Sequence, residues 1–256
     1  MCTLVILRRP EHPWPVLIGA NRDEIIGRPA LPPARHWPDR PEVVAGLDQL
    51  AGGSWLGVND WGVAAAILNR HGSLGPAKGQ RSRGELVLEA LDHPDAVAAA
   101  EALSHLDPRA YRTFNLIVAD NRDGFWLRHA DTGKVEVRSL KDGLSIVAAG
   151  EIDDLRTRRL ELAAPKFRAA APPDPDRDDW RDWQALLSDN ESPPGEPAES
   201  ALRFRLPHGY GTVSSALIAL PEPSAGERKP RFRYAQWQPS ETPWADVSFA
   251  VPKAAR

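Results

Sequence analysis

Sulfur is scarce in this sequence: of 256 residues, one is cysteine and one is methionine. A single Cys2 excludes an intramolecular disulfide, a cysteine-cluster zinc site and a cysteine-held iron–sulfur cluster, so any thiol chemistry rests on that residue. The seven histidines include no pair four residues apart, the spacing that puts two imidazoles on one helix face, and no metal site is expected. Long apolar runs are missing as well. The longest, at residues 63–68 and 214–220, reach about a third of the roughly 20 residues that a bilayer span needs. Nor is there an excess of either charge: 32 basic against 35 acidic side chains, net −3, leave no basic face for counterion release from nucleic acid. Glycine-rich phosphate loops are absent, because Gly52-Gly53 and residues 72–79 lack the spacing and the Lys-Ser/Thr ending that such loops require. Residues 1–9 carry their apolar residues before their charges, the reverse of a signal peptide. The expectation is a cytoplasmic protein with no membrane span, no nucleic-acid partner and no cofactor; the oligomeric state is not legible.

What the chain has in excess is proline. Its 25 prolines are about twice the usual ~5%, and they cluster at 10–15, 29–41, 172–175, 193–197 and 221–223, which read as loops. Between them, residues 2–8 and 15–20 form a hairpin across the turn at 10–13. Strands continue at 43–46, 54–59 and 62–70, about five before residue 71. Residues 82–90 and 94–106 change to apolar spacings of three and four, the pattern of helices, with Pro94 in the first turn of the second. Four strands follow at 113–119, 125–129, 135–140 and 144–148, then helices at 153–170 and 176–188 and strands at 211–220 and 231–236. Trp180 and Trp183, three apart, read as a packing stripe. Strands in blocks and helices in blocks predict an α+β fold with mostly antiparallel sheets. Residues 1–256 are expected to form one domain with a proline-rich loop at about 189–207.

The position of the lone cysteine carries chemical information. Trimming of Met1 ahead of a residue this small leaves Cys2 as the mature terminus, with a thiol of pKa about 8.5 beside an α-amine of about 7.7–8.0. That amine can serve as general base for its own side chain, and a nearby arginine would lower the thiol pKa further. Asn21-Arg22-Asp23-Glu24 supplies such an arginine at the end of the strand that pairs with the one bearing Cys2. A solvated hairpin end gives the same run, as Asp120-Asn121-Arg122-Asp123-Gly124 does elsewhere in the chain. Residues 62–70 form a strand of small residues running into Asn69, whose amide is either an oxyanion donor or a strand-end turn residue. Trp37, Trp55 and Trp61 read equally as pocket wall or core.

Met1-Cys2-Thr3-Leu4, Asn21-Arg22-Asp23-Glu24, Gly53-Ser54-Trp55-Leu56-Gly57 and Ile67-Leu68-Asn69-Arg70, taken in order, closely resemble the NRDE family, also called the transport and Golgi organisation family. Tyr210-Gly211-Thr212-Val213-Ser214-Ser215 resembles its closing motif. The resemblance implies an N-terminal nucleophile hydrolase-like, four-layer αββα sandwich, similar in its opening to the cysteine-type acylases that cleave linear amides. By that resemblance Cys2 is nucleophile and base, Arg22 and Asp23 orient the amine and thiolate, and Asn69 binds the oxyanion. Asn21, Glu24, Trp55, Asn59 and Tyr210, on the same motifs, are assigned to substrate binding. Two positions depart from the pattern: Gly150 stands where the acylases carry a second asparagine, and Val213 where many relatives carry arginine.

The leading expectation is a cysteine hydrolase acting on an amide or thioester of a small acyl-bearing metabolite through a Cys2 acyl-enzyme. The alternative is a non-enzymatic binding or trafficking protein holding haem or an acyl chain in the same pocket. A haem role requires an axial ligand, for which His36, His71 and His208 are the candidates.

Overall fold

The computed structural model describes residues 2–75, 77–223 and 228–250. Met1, whose removal the sequence leads one to expect, lies outside them. In chain order the strands are β1 (Thr3–Arg8), β2 (Val16–Ile25), β3 (Ala30–Ala34), β4 (Val43–Asp48), β5 (Leu56–Asn59) and β6 (Ala64–Asn69). Helices α1 (Gly84–Leu91) and α2 (Ala96–Ser104) follow, then β7 (Phe114–Ala119), β8 (Gly124–His129), β9 (Val135–Ser139) and β10 (Gly143–Val147). The chain continues through α3 (Arg158–Ala169), α4 (Arg181–Ser188), β11 (Tyr210–Leu220), β12 (Arg231–Gln236) and β13 (Thr242–Asp246).

Two antiparallel sheets form, one in the order β10-β1-β2-β11-β12-β13 and the other in the order β3-β4-β5-β6-β7-β8-β9. Each sheet is apolar on both faces, so three separate cores are needed to bury them. The inner core joins the sheets through Leu4, Ile6, Ile18, Leu56, Val58, Ala66, Ile218 and their neighbours. A second core packs the β3–β9 sheet under α1 and α2, and a third packs the other sheet under α3 and α4. The result is the αββα sandwich that the family resemblance implies.

The two strands absent from the sequence reading, β3 and β13, both contain proline and both lie at a sheet edge. An edge strand has one side without ladder partners, where a missing N–H costs nothing. Two helices start later than their apolar pattern suggests. Ahead of α3, Asp153 has a φ of 58°, and its carboxylate accepts the Ile146 N–H at 2.9 Å and the Ser145 hydroxyl at 3.2 Å. Ahead of α4, Asp174 and Asp179 form an isolated antiparallel bridge. For α2 the N-cap is Asp95, accepting the Ala98 N–H at 2.7 Å, and Pro94 precedes it rather than sitting in the first turn. Trp180 and Trp183 are buried as a packing stripe, the latter edge-on to Phe167 with ring centroids 5.4 Å apart. The loop after α4 packs against α3, with Lys166 and Asp189 paired at 2.9 Å.

Glycine has a steric role where the lead into β5 meets α1. A Cβ on Gly53 would land inside the backbone of Gly84 and Glu85, at the start of the helix. Backbone cannot swing aside as a side chain can. Gly53→Ala is therefore expected to cost at least about 2 kcal/mol, read as a lower urea midpoint at unchanged m-value.

Candidate active site

The long strand β2 organises the site because it pairs on both sides: Thr3 lies opposite Asn21, Arg22 opposite Ser214, and Asp23 opposite Thr212. Asn21-Arg22-Asp23-Glu24 thus lies within a strand, not at a hairpin end. The second Asn-Arg-Asp sequence is a turn, closed by the Asp120 carboxylate accepting the N–H groups of Arg122 and Asp123 at 2.7 and 2.8 Å. Location in the sheet distinguishes the two copies. The Cys2 thiol meets Asp23 backbone: Sγ accepts the Asp23 N–H at 3.3 Å and donates to its carbonyl at 3.6 Å.

The Asp23 side chain has no exposed area. Its Oδ2 accepts from Arg159 at 2.6 Å and its Oδ1 from the Thr212 hydroxyl at 2.8 Å. Arg159, itself 4% exposed, also donates to the Glu199 carbonyl at 2.7 Å and to Thr3 Oγ1 at 3.4 Å, and lies 4.6 Å over the Phe204 ring. Burying two charges is expensive, and this pair meets the condition under which it is tolerated, because further hydrogen bonds engage both partners. The sequence reading missed Arg159. The signal was present, since Arg159 is spaced by four with Ala163 and Phe167 on the buried stripe of α3, where an unpaired arginine would not persist.

Arg22 faces the inter-sheet space. Its guanidinium lies 4.0 Å over the Trp55 ring and 3.8 Å from the Glu24 carboxylate, a cation–π geometry worth about 0.5–2 kcal/mol. Trp55 in turn occupies the volume that a Cβ on Gly46 would fill. Cys2, Arg22 and Trp55 stand together around a cleft of about 330 Å³, open mouth included, which runs between the sheets along Leu4, Ala20, Leu56, Ala66 and Ala216.

Burial pushes the thiol pKa of Cys2 up and the charge of Asp23 adds to the rise; the Asp23 N–H and Arg22 pull the other way without reversing it. Arg22 thus acts on the thiol in the sense that the sequence leads one to expect, while the desolvation of a thiolate and the charge of Asp23 act against it. Tyr210 donates to the Asp23 carbonyl at 3.5 Å, and burial and the neighbouring Cys2 raise its own pKa, so its hydroxyl keeps its proton. Arg83, just ahead of α1, adds a second guanidinium; burial and Arg112 lower its pKa to about 10, while Cys2 and Glu24 act in the opposite sense.

The remaining assigned residues divide. Asn21 borders the cleft, but its amide is spent on structure, donating to the carbonyls of Leu187 and Leu202 and accepting from Ser215. Glu24 bonds the Ile25 N–H and sits 3.7 Å from Arg28. Asn59 is placed elsewhere: fully buried, it donates to the carbonyls of Leu91 and His93 and accepts the Val63 N–H, tying β5 to the end of α1. Asn69 ends β6, half-buried, one residue past Leu68 of the cleft wall and on the alternate face of the strand. Val213 sits in an irregularity of β11 between Thr212 and Ser214. A Cβ on Gly150 would be 3.5 Å from Asp154 Oδ2 and 4.0 Å from His71 Nε2, ordinary contact distances. Of the histidines considered for haem, His36 bonds the Pro32 carbonyl at 2.8 Å, His208 is exposed in the turn before β11, and His71 is exposed beside Gly150. None of the three lines the cleft. Among the described residues no group of three acidic, histidine or cysteine side chains could hold a metal ion, and no helix is long and apolar enough to cross a membrane.

The profile of the family described as Transport and Golgi organisation 2 matches residues 1–223. The chain belongs to that family. Curated relatives include the Transport and Golgi organization protein 2 homologs of Bos taurus, 37% identical over 119 residues, and of Homo sapiens, 34% identical over 116. Each match spans 43% of this chain but 40% of the relative. Solved structures with the same fold include an N-acylethanolamine-hydrolyzing acid amidase ortholog from Caenorhabditis elegans, at TM-score 0.58 and 15% identity over 88% of this chain and 96% of that one. A variant of conjugated bile acid hydrolase from Clostridium perfringens gives 0.54 at 12% identity, over 96% and 92%. Penicillin V acylase from Agrobacterium tumefaciens gives 0.50 at 16%, over 96% and 86%. At such identities the likeness shows the N-terminal nucleophile hydrolase-like fold, on which this member of the family arranges its own site.

Three outcomes follow from the site's electrostatics. Alkylation of Cys2 by iodoacetamide should have a pH midpoint above the ordinary thiol value of about 8.5. Asp23→Asn, which removes a negative charge beside the thiolate, should lower that midpoint. Arg159→Met should raise it and destabilise the fold by about 3–5 kcal/mol, because it strands a buried carboxylate. Gly150→Asn, whose Cβ makes only ordinary contacts with Asp154 and His71, is expected to keep the melting temperature within a few degrees of the parent by calorimetry.

Proposed function

We propose that this chain is an N-terminal cysteine hydrolase that cleaves an amide or thioester of a small acyl-bearing metabolite through a Cys2 acyl-enzyme. The observation that carries the reading is the seating of the Cys2 thiol at the mouth of an apolar cleft, against the Asp23 backbone and beside Arg22. With Met1 removed, the Cys2 α-amine takes the thiol proton as Sγ attacks the substrate carbonyl carbon. A C–S bond forms, the carbonyl π electrons move to oxygen, and the oxyanion is held by a backbone N–H. When the oxyanion collapses, the bond to nitrogen or sulfur breaks and the leaving group departs with the proton from the amine. Water, deprotonated by the same amine, then attacks the thioester, releasing the acid and restoring the thiol. Asn69, which the family resemblance assigns to the oxyanion, ends β6 on the face opposite Leu68 and would have to turn toward the cleft to take that part.

The test is intact mass of the purified protein, acid-quenched during turnover of N-acyl amides and acyl thioesters. Loss of Met1 and a single acyl adduct, absent from Cys2→Ala, is the expected result. Retained Met1 with no adduct, or hydrolysis that survives in Cys2→Ala, would overturn the assignment.

A further inference from the structure

A second and roomier cavity lies on the outer side of the first sheet, between α3 and the proline-rich loop that follows α4. It offers about 270 Å³ to the centre of a water-sized sphere, where the cleft beside Cys2 offers about 20 Å³. An apolar cavity of about 150 Å³ holds a benzene ring, so this one has room for a ring and a short chain attached to it. Leu162, Ala163, Pro193, Pro194, Ala201 and Leu202 give it apolar walls. No residue lines both cavities, and the site is independent of the acyl-enzyme reading.

The cavity has two polar ends. At one, Arg159 donates to the Glu199 carbonyl at 2.7 Å, which places the next residue, Ser200, beside it. At the other, Lys166 pairs with Asp189, whose carboxylate also accepts the Glu191 N–H at 3.0 Å. Arg159 and Lys166 are seven residues apart on one helix, so the ends are separated by about 10 Å. Four ionised side chains line the space, and three of them are engaged: Arg159 with Asp23, and Lys166 with Asp189. The fourth, Glu191, is exposed at the rim, and its carboxylate has no partner among the described residues. Ser200 is 6% exposed, and its hydroxyl likewise bonds no described residue. A hydroxyl enclosed in this way takes its partner from whatever fills the cavity.

Charge then decides what fits. An anion would have to draw Arg159 from Asp23, stranding a buried carboxylate, or draw Lys166 from Asp189. A cation meets the Glu191 carboxylate without breaking a pair. The loop adds to the bias, since residues 189–200 contain Asp189, Glu191, Glu196 and Glu199 and no lysine or arginine. The neighbouring Arg158 is held by Glu161 and Glu196. We infer that this cavity binds a small ammonium compound with an apolar body, its cationic head on Glu191 and a hydrogen-bonding group at the far end on Ser200.

The experiment titrates the full chain by calorimetry with tyramine, whose ammonium and phenol groups stand at opposite ends of an apolar body. Its neutral alcohol analogue, its carboxylate analogue and phenethylammonium, which lacks the phenol hydroxyl, serve as comparisons. Tyramine is expected to bind with a Kd of about 1 mM or tighter, the alcohol about fivefold more weakly, and the carboxylate more weakly still. Glu191→Gln, a change on an exposed side chain, should bring tyramine down to the level of the alcohol. Ser200→Ala should weaken tyramine by about threefold or more and leave phenethylammonium as it was. Glu199→Gln, on the same loop but outside the cavity lining, should change nothing. Tighter binding of the carboxylate, equal losses in Glu191→Gln and Glu199→Gln, or no binding of any probe at about 10 mM would overturn the site.

Discussion

A carboxylate with no exposed side-chain area has to be matched by charge or lose its ionisation, and much of this structure serves the matching of Asp23. Its cation comes from Arg159, on a helix that packs on the far side of the sheet, and its second hydrogen bond comes from Thr212, on the strand next to it. One pair therefore ties β2, α3 and β11 together. The Arg159 guanidinium also reaches Thr3 on β1 and the Glu199 carbonyl, so the strand that follows Cys2 is held in the same network. Removing either partner leaves the other charge stranded, which makes the pair a constraint on the fold as much as a feature of the site.

The outer and inner faces of the first sheet then divide the work. On the outer face Asp23 and Arg159 lock β1, β2 and β11 in register; on the inner face the same register lines up Leu4, Ala20 and Ala216 behind the thiol. Neighbouring residues of one strand, Arg22 and Asp23, point to these opposite faces, as strand alternation demands. Trp55 links the two sheets at the mouth by lying under Arg22, and it can do so because Gly46 leaves room for it.

How much of this was legible beforehand follows from what a sequence encodes locally. Strands with clear alternation and helices with three-and-four spacing were visible, and the αββα architecture followed from their order together with the family resemblance. The proline-bearing edge strands β3 and β13 were not, because an edge tolerates the missing donor that argues against proline in a central strand. Within the site, Cys2, Arg22 and Trp55 were read from adjacent motifs, and they share one cleft. Arg159 was passed over because its partner lies 136 residues away in sequence and only an odd charge on an apolar stripe marked it. Asn59 follows a motif that ends at Gly57, which draws it toward the site in sequence, whereas its three hydrogen bonds to backbone show a strand–helix tie. The upward shift of the thiol pKa had no sequence signature at all, since it depends on depth and not on the identity of the neighbours.

That depth connects the electrostatics with the shape of the cleft. Half-buried at the mouth of the cleft, the thiol has its pKa raised by desolvation and by Asp23, so its reactivity waits on a base and on a substrate that excludes water. The cost is a weaker nucleophile at rest; the gain is that the apolar wall providing the desolvation also contacts the substrate. The raised thiol pKa and the apolar wall beside it are then two consequences of one placement, the seating of Cys2 between Asp23 and the inner core.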